Sequence, residues 1–213
     1  QRQMCIRDSS GIELASELRE SRSDLEILLY DRGPRILRNF PEKLSKYISK
    51  WFSKHDVTVV PNSVIDRVEP GKIYNNGQPE DIDLVVWTAG IQPVEVVRNL
   101  PIDLSNTGRV ILNQYHQVPT YKNVYVVGDC ADLPHAPSAQ LAELQGDQIA
   151  DVLKKQWNNE SLPDKMPEIK IQGFLGSLGD KQGFAYIMDR TVTGRLASIL
   201  KSGVLWLYKY HNG

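Results

Sequence analysis

A glycine at the head of a helix, answered twenty residues later by an aspartate that closes the next apolar run, narrows the fold of this chain more than any other feature. Ser10-Gly11-Ile12-Glu13-Leu14-Ala15-Ser16-Glu17-Leu18 begins as a well-formed helix with apolar residues at 12, 14, 15 and 18. Leu25-Glu26-Ile27-Leu28-Leu29-Tyr30-Asp31 is a short apolar run stopped by Arg32-Gly33-Pro34, the pattern of a buried parallel strand and a turn. Helix and strand at this spacing match the back half of a dinucleotide-binding βαβ unit. There the last glycine lets the helix pack close to the sheet, and the carboxylate accepts hydrogen bonds from an adenosine ribose. The competing reading is plain: any α/β helix can begin with Gly, and any strand can end with Asp.

The following segments keep the strand, helix, strand order. Residues 41–55 read as a helix with apolar positions at Leu44, Ile48, Trp51 and Phe52; 57–60 and 63–68 read as strands, and Asn75-Asn76-Gly77 as a hairpin turn. Residues 83–90 form another buried strand that runs into Thr88-Ala89-Gly90. Gly-marked strand ends in this order mean a doubly wound α/β unit over residues 10–91. A second region, 92–157, has strands at 110–112 and 124–127 and a long helix at 138–156 with apolar residues at 141, 144, 149 and 153. The third region, 158–213, opens with a polar, Pro-bearing linker that runs to Pro167, then has short strands broken by Gly173, Gly176, Gly179 and Gly183 and ends in a helical segment at 195–210. Residues 1–9 carry no periodicity and lead straight into a helix. They are expected to be a non-native leader, which would leave the first unit without its opening strand.

A second constellation is Thr120-Tyr121-Lys122-Asn123-Val124-Tyr125-Val126-Val127-Gly128-Asp129. Gly128 would let the backbone approach a ligand, and Asp129, at the C-terminal end of a strand, would hold a sugar-alcohol hydroxyl. This is the pattern by which FAD enzymes of the two-dinucleotide class bind the ribityl chain, and Thr88-Ala89-Gly90 with Pro93 matches their other crossing segment. A strand followed by an ordinary turn is the alternative. At Asp31 a 2'-phosphate would be repelled, which favours NADH over NADPH, while Arg32 and Arg35 pull the other way.

Composition removes other classes. With 25 basic against 26 acidic residues the net charge is -1, no footprint for nucleic acid. Cys5 and Cys130 lie far apart, so neither a disulfide framework nor a zinc site is indicated, and a reducing, cytosol-facing location fits. His55, His116, His135 and His211 show no ligand spacing, and no metal is expected. No apolar run reaches the length of a membrane span.

Taken with Gly33-Pro34-Arg35-Ile36-Leu37, Val126-Val127-Gly128-Asp129-Cys130-Ala131 and Ala139-Gln140-Leu141-Ala142-Glu143-Leu144-Gln145-Gly146, these segments resemble the C-terminal part of flavin-dependent pyridine nucleotide oxidoreductases. The likeness is greatest to the type II NADH dehydrogenases (NADH:quinone oxidoreductases) and covers about residues 10–185. It implies a two-dinucleotide-binding α/β fold, Rossmann-like and similar to glutathione reductase, with a small C-terminal α+β domain. The chain would then be N-terminally truncated, with the FAD pyrophosphate site in the missing part, and would alone bind cofactor poorly. Implied cofactors are FAD and NADH, with Gly11, Asp31, Ala89, Gly90, Gly128, Asp129, Ala139 and Gln140 as their binding residues. Gln140 and Gln145 would border a quinone pocket beside the isoalloxazine, and Glu13 would stand near nicotinamide and flavin, although Glu is also common in a first helical turn. An ordinary polar helix face is the other reading of the two glutamines.

The chain departs from the family at Gln172, where a Lys often precedes the Gly-Ser-Leu type segment, and it has no C-x4-C pair, so likeness to disulfide reductases stops at the fold. Cys130 reads as a small buried residue. Leu196, Ile199, Leu200, Gly203, Val204 and Leu207 fall on one helical face near Trp206, Tyr208 and Tyr210. That face would either lie in the bilayer interface, as the resemblance implies, or pack on its own domain. The expected activity is hydride transfer from NADH to FAD and on to a quinone, in the cytoplasm or peripherally on the cell membrane's cytoplasmic face, with a homodimer left open. The alternatives are a flavin-dependent reductase of a protein acceptor such as ferredoxin, and a non-catalytic nucleotide-binding or redox-sensing module.

Overall fold

The computed structural model describes residues 2–6, 8–88, 90–135, 137–171 and 173–212. They gather into two compact units, one of residues 1–90 with 172–213 and one of 91–171.

The first unit opens with β1 (Arg2–Ile6) and α1 (Asp8–Ser21), followed by β2 (Glu26–Tyr30), α2 (Glu42–Lys54) and β3 (Val57–Val60). Helix α1 turns Ile12 and Ala15, one turn apart, into the core, and α2 buries Leu44, Ile48, Trp51 and Phe52, the residues its 3.6-residue period puts on one face. Between them β2 buries Ile27, Leu29 and Tyr30. Three strands, β4 (Ile65–Glu69), β5 (Lys72–Asn75) and β6 (Gln78–Asp81), form a separate antiparallel sheet. Asn76 and Gly77 join β5 to β6 with φ of 50° and 76°, the left-handed pair that a two-residue hairpin turn requires. The chain then returns through β7 (Leu84–Trp87) to a four-stranded parallel sheet of order β3-β2-β1-β7.

Two sequence expectations change here. Residues 1–9 were expected to stand outside the fold, yet Arg2–Ile6 lies between β2 and β7, in register with residues 26–30 and 84–87. Parallel pairing is made by backbone N–H and C=O groups, so a stretch without apolar periodicity can fill that place. The 83–90 segment is a strand, but not a buried one: Leu84 and Trp87 remain exposed.

The second unit has α3 (Glu95–Arg98), the short pair β8 (Gln117–Val118) and β9 (Tyr121–Tyr125), a 3₁₀ turn over Gly128–Cys130, and the long α4 (Ala139–Trp157). The strand expected at 124–127 is thus displaced upstream. Val126 instead donates its N–H to His116 O, and Val127 is already extended backbone leading into the turn. The strand expected at 110–112 reduces to isolated bridges from Val110 to Leu104 and Ala131. Ser138 Oγ accepts from Leu141 N at 3.2 Å and caps α4.

The C-terminal elements are β10 (Gly173–Leu178), β11 (Gln182–Ile187), β12 (Arg190–Thr193) and α5 (Arg195–Asn212). They were expected as a domain of their own, but they belong to the first unit. Leu178 and Phe184 sit in the same core as Ile12, Leu29 and Leu44, and Phe40 packs on Phe174. A Cβ at Gly176 would fall 2.2 Å from Phe184 Cζ, so that glycine makes room for the ring. Helix α5 buries Ala197 while its expected apolar face stays open, with Leu196, Ile199, Val204 and Leu207 exposed. Among the described residues no helix is long and apolar enough to cross a membrane.

Candidate functional site

The expected residues fall into two groups, one in each unit. In the first unit Gly11 is buried in the first turns of α1, and Asp31 follows the C-terminal end of β2, the end at which ligands meet parallel sheets. Asp31 is fixed from several sides. Its N–H donates to Val60 O and its carbonyl accepts from Ser63 N, both at 2.9 Å, while Oδ1 accepts from Gly33 N at 2.7 Å. The short carboxylate thus folds the 31–33 turn with one oxygen, and Oδ2 has no hydrogen-bond partner among the described residues.

Arg35, which sequence reasoning set against Asp31, is otherwise engaged. Its Nη1 donates to Leu37 O at 3.1 Å, and Nη2 donates to Arg38 O and Phe40 O at 2.8 and 2.9 Å. Leu37 has φ of 49°, and that left-handed residue turns the loop's carbonyls back onto the guanidinium. Arg32 and Arg38 remain exposed. At the end of β7, Gly90 has φ of 82° and no atom near where a Cβ would stand, so its backbone angle, not a close approach, calls for glycine. Ala89 and Gln172 lie outside the described residues.

Glu13 is held by the C-terminal elements. Its Oε1 accepts from Ser177 N at 2.6 Å and from Lys201 Nζ, and Lys201 Nζ also donates to Ser177 Oγ at 2.7 Å. No sequence signal links Glu13 to a lysine 188 residues away.

In the second unit Gly128 takes φ of 72° and starts the 3₁₀ turn that carries Asp129. Asp129 is half-buried, and its carboxylate has no hydrogen-bond partner among the described residues. The adjoining α4 begins at Ala139, and Gln140 is partly exposed in its first turn. Gln145 is fully buried; its Oε1 accepts from Gly128 N at 2.9 Å, and its Nε2 has no partner among the described residues. Five positions on an α-helix turn two side chains about 140° apart. Gln140 and Gln145 therefore do not share a face, and Gln145 points at the Gly128 turn. Arg109, absent from the sequence-based site, donates through Nε to Asp129 O at 3.0 Å and through Nη2 to Ile91 O at 2.8 Å.

A cleft of about 460 Å³ opens beside Ser49, Ser53 and Asp56, at the N-terminal end of β3. That is the end of a parallel strand opposite to the one at which Asp31 stands. Among the described residues no group of three His, Cys, Asp or Glu could hold a metal.

Known proteins carry the same pattern. The sequence signature of the pyridine nucleotide-disulphide oxidoreductases matches residues 9–146. A NADH dehydrogenase-like protein of Bacillus subtilis is 55% identical over 204 residues, which cover 96% of this chain and 58% of that protein. A type II NADH:quinone oxidoreductase of Staphylococcus epidermidis is 26% identical over 200 residues, covering 89% of this chain and 49% of its own length. In three dimensions the sulfide:quinone oxidoreductase of Aquifex aeolicus superposes with a TM-score of 0.80 at 18% identity, covering 99% of this chain and 59% of the other. The chain thus spans about half to three-fifths of the length of these proteins. With its family signature spread over both units and its fold shared along nearly the whole chain, the protein belongs to the pyridine nucleotide-disulphide oxidoreductase family.

Proposed function

We propose that the protein works as a flavin-dependent NADH dehydrogenase, with FAD and NADH bound at the two strand ends and a membrane quinone as electron acceptor. The observation that carries this reading is the Gly128–Cys130 turn. It offers a half-buried carboxylate at Asp129 that has no hydrogen-bond partner among the described residues, on a turn whose Gly128 N–H is held by the wholly buried Gln145. A turn so arranged suits a polyhydroxyl chain, because a carboxylate accepts from hydroxyls and the turn that carries it is held in place from the core. These residues therefore fit a flavin. Bound FAD supplies the two-electron chemistry that the side chains lack.

The chain's own residues bind and orient. Asp31, through the oxygen not spent on Gly33, accepts from the ribose of NADH and repels a 2'-phosphate. Arg35 is committed to three backbone carbonyls and does not offset that repulsion, which supports NADH over NADPH. The N-terminus of the 19-residue α4 presents partial positive charge beside the Asp129 turn and favours negative charge on a reduced flavin. Gln140 in its first turn is the residue of the helix that can face a quinone. The exposed apolar face of α5, with Trp206 and Tyr210 at its far end, would lie on the lipid surface in which a quinone is dissolved.

Asp129→Ala in the full-length protein is the direct test. Loss of the flavin absorbance is expected, and an unchanged flavin content removes the assignment. The buried position of Gln145 favours keeping a second acceptor in view, since only Gln140 of the pair is left to meet a quinone. Turnover with a soluble quinone analogue, compared with a protein acceptor such as ferredoxin, decides between them.

A further inference from the structure

The Asp129 carboxylate has no partner among the described residues, yet the backbone that carries it is held on several sides. Gly128 N donates to Gln145 Oε1 at 2.9 Å, and Gly128 O accepts from Ala131 N at 3.0 Å. Asp129 O accepts from Arg109 Nε at 3.0 Å, and Cys130 O accepts from Val110 N at 2.8 Å. Two of these four contacts come from side chains, one on α4 and one from the loop before β8. Arg109 is anchored in turn through Nη2 on Ile91 O.

Packing does not explain a glutamine at 145. The side chain is wholly buried and its Nε2 is unpartnered, a burden that leucine or methionine would fill the same space without. What the amide supplies is an acceptor for the Gly128 N–H. Gly128 has φ of 72°, so the turn leaves the strand pattern at the residue where its N–H most needs a partner. The Arg109 guanidinium does the reciprocal work on the carbonyl one residue later, so the Gly128–Asp129 segment is held at the peptide group before it and at the one after it.

We infer that Gln145 and Arg109 are positioning residues that preset the Asp129 carboxylate for a ribityl hydroxyl, so that Gln145 acts on the flavin through the Gly128 turn and not on the quinone. This rests on the reading of Asp129 as a flavin ligand. Preorganisation of this kind raises affinity by lowering the ordering cost of binding.

The test is a double-mutant cycle on the full-length protein, read as FAD affinity of the apo form by flavin fluorescence titration. Gln145→Leu should weaken FAD binding by about tenfold when Asp129 is present and by less than about twofold in the Asp129→Ala background, the coupling expected of side chains that act on one group. Arg109→Met should behave in the same way. Equal losses in both backgrounds would show Gln145 to be structural only and overturn the positioning role while leaving Asp129 as a ligand. Unchanged FAD affinity in Asp129→Ala alone would instead remove the ligand assignment, and the positioning role with it.

Discussion

Lys201 of α5 reaches across to Glu13 of α1, and Ser177 of β10 closes the contact by donating its N–H to the same carboxylate oxygen. Seven residues further along α1, Glu20 Oε2 accepts from Asp180 N at 2.6 Å. Two carboxylates on one helix thus grip backbone donors at 177 and 180 of the β10–β11 hairpin. Charge-assisted bonds from a carboxylate to a backbone N–H are among the stronger hydrogen bonds a protein makes. The residue that resemblance places near the cofactors also helps to join the C-terminal elements to the nucleotide-binding unit. A change at Glu13 therefore reads on stability before it reads on chemistry.

Lys201→Met should lower the stability of the first unit by about 1–2 kcal/mol, the range of a partly screened ion pair that also carries a hydrogen bond. Urea unfolding followed by tryptophan fluorescence checks it. Glu13→Gln keeps an acceptor for Ser177 N and should cost less than Lys201→Met; the opposite order would show that the contribution lies in Glu13's charge and not in the bridge.

Gly176→Ala should be more damaging than most surface changes in the hairpin. Its Cβ would overlap the Phe184 ring, which is wholly buried and cannot swing out. Overpacking of this kind costs about 1–3 kcal/mol, and a smaller partner returns part of it. Thermal unfolding of Gly176→Ala, alone and with Phe184→Leu, measures this. A double variant no more stable than the single one would mean that the clash is relieved elsewhere.

Much of the first unit was legible because its signals are local. The periodicity of α2 and the glycine and aspartate of the α1–β2 pair depend on residues within one or two turns of one another. β1 was not legible, since five residues can fill a parallel sheet through their backbone and leave no mark in side-chain pattern. The site was half legible. Asp31 directly follows β2, where an α/β reading expects it, whereas Asp129 sits in a 3₁₀ turn beyond the end of β9. Arg35 was misread because the fate of its guanidinium hangs on the positive φ of Leu37, which nothing in a leucine announces. That Gln140 and Gln145 point apart follows from helix geometry alone, since a spacing of five does not keep two side chains on one face. The lysine that meets Glu13 lies too far along the chain for any local pattern to join them.

Tyr47 of α2 donates its hydroxyl to Gln182 Oε1 of β11 at 3.0 Å, and burial raises its pKa above the usual tyrosine value, partly offset by a backbone contact at Gly194. Tyr47→Phe should cost about 0.5–1.5 kcal/mol near neutral pH. The folded state holds this proton more tightly than the unfolded chain does, so the contribution is complete below pH about 10 and fades as pH rises through the raised folded value. Stability curves for parent and variant should therefore converge at alkaline pH. A gap that stays constant would assign the loss to packing.

Asp31 and Arg35 make opposite predictions about coenzyme choice. Asp31→Ser keeps an acceptor for Gly33 N but removes the negative charge that, in the proposed coenzyme site, would face a 2'-phosphate. With exposed Arg32 and Arg38 nearby, it should raise the kcat/KM ratio of NADPH to NADH by about tenfold or more, a change of about 1.4 kcal/mol in relative transition-state binding. Arg35→Ala should leave that ratio within about twofold, because the guanidinium is spent on the carbonyls of Leu37, Arg38 and Phe40. Its effect should appear as lost stability of the 33–40 loop, seen as faster amide exchange there. Steady-state kinetics with both coenzymes on the full-length variants separates the cases. A large shift in Arg35→Ala would mean that the arginine turns toward the coenzyme on binding and that Asp31 does not set the preference alone.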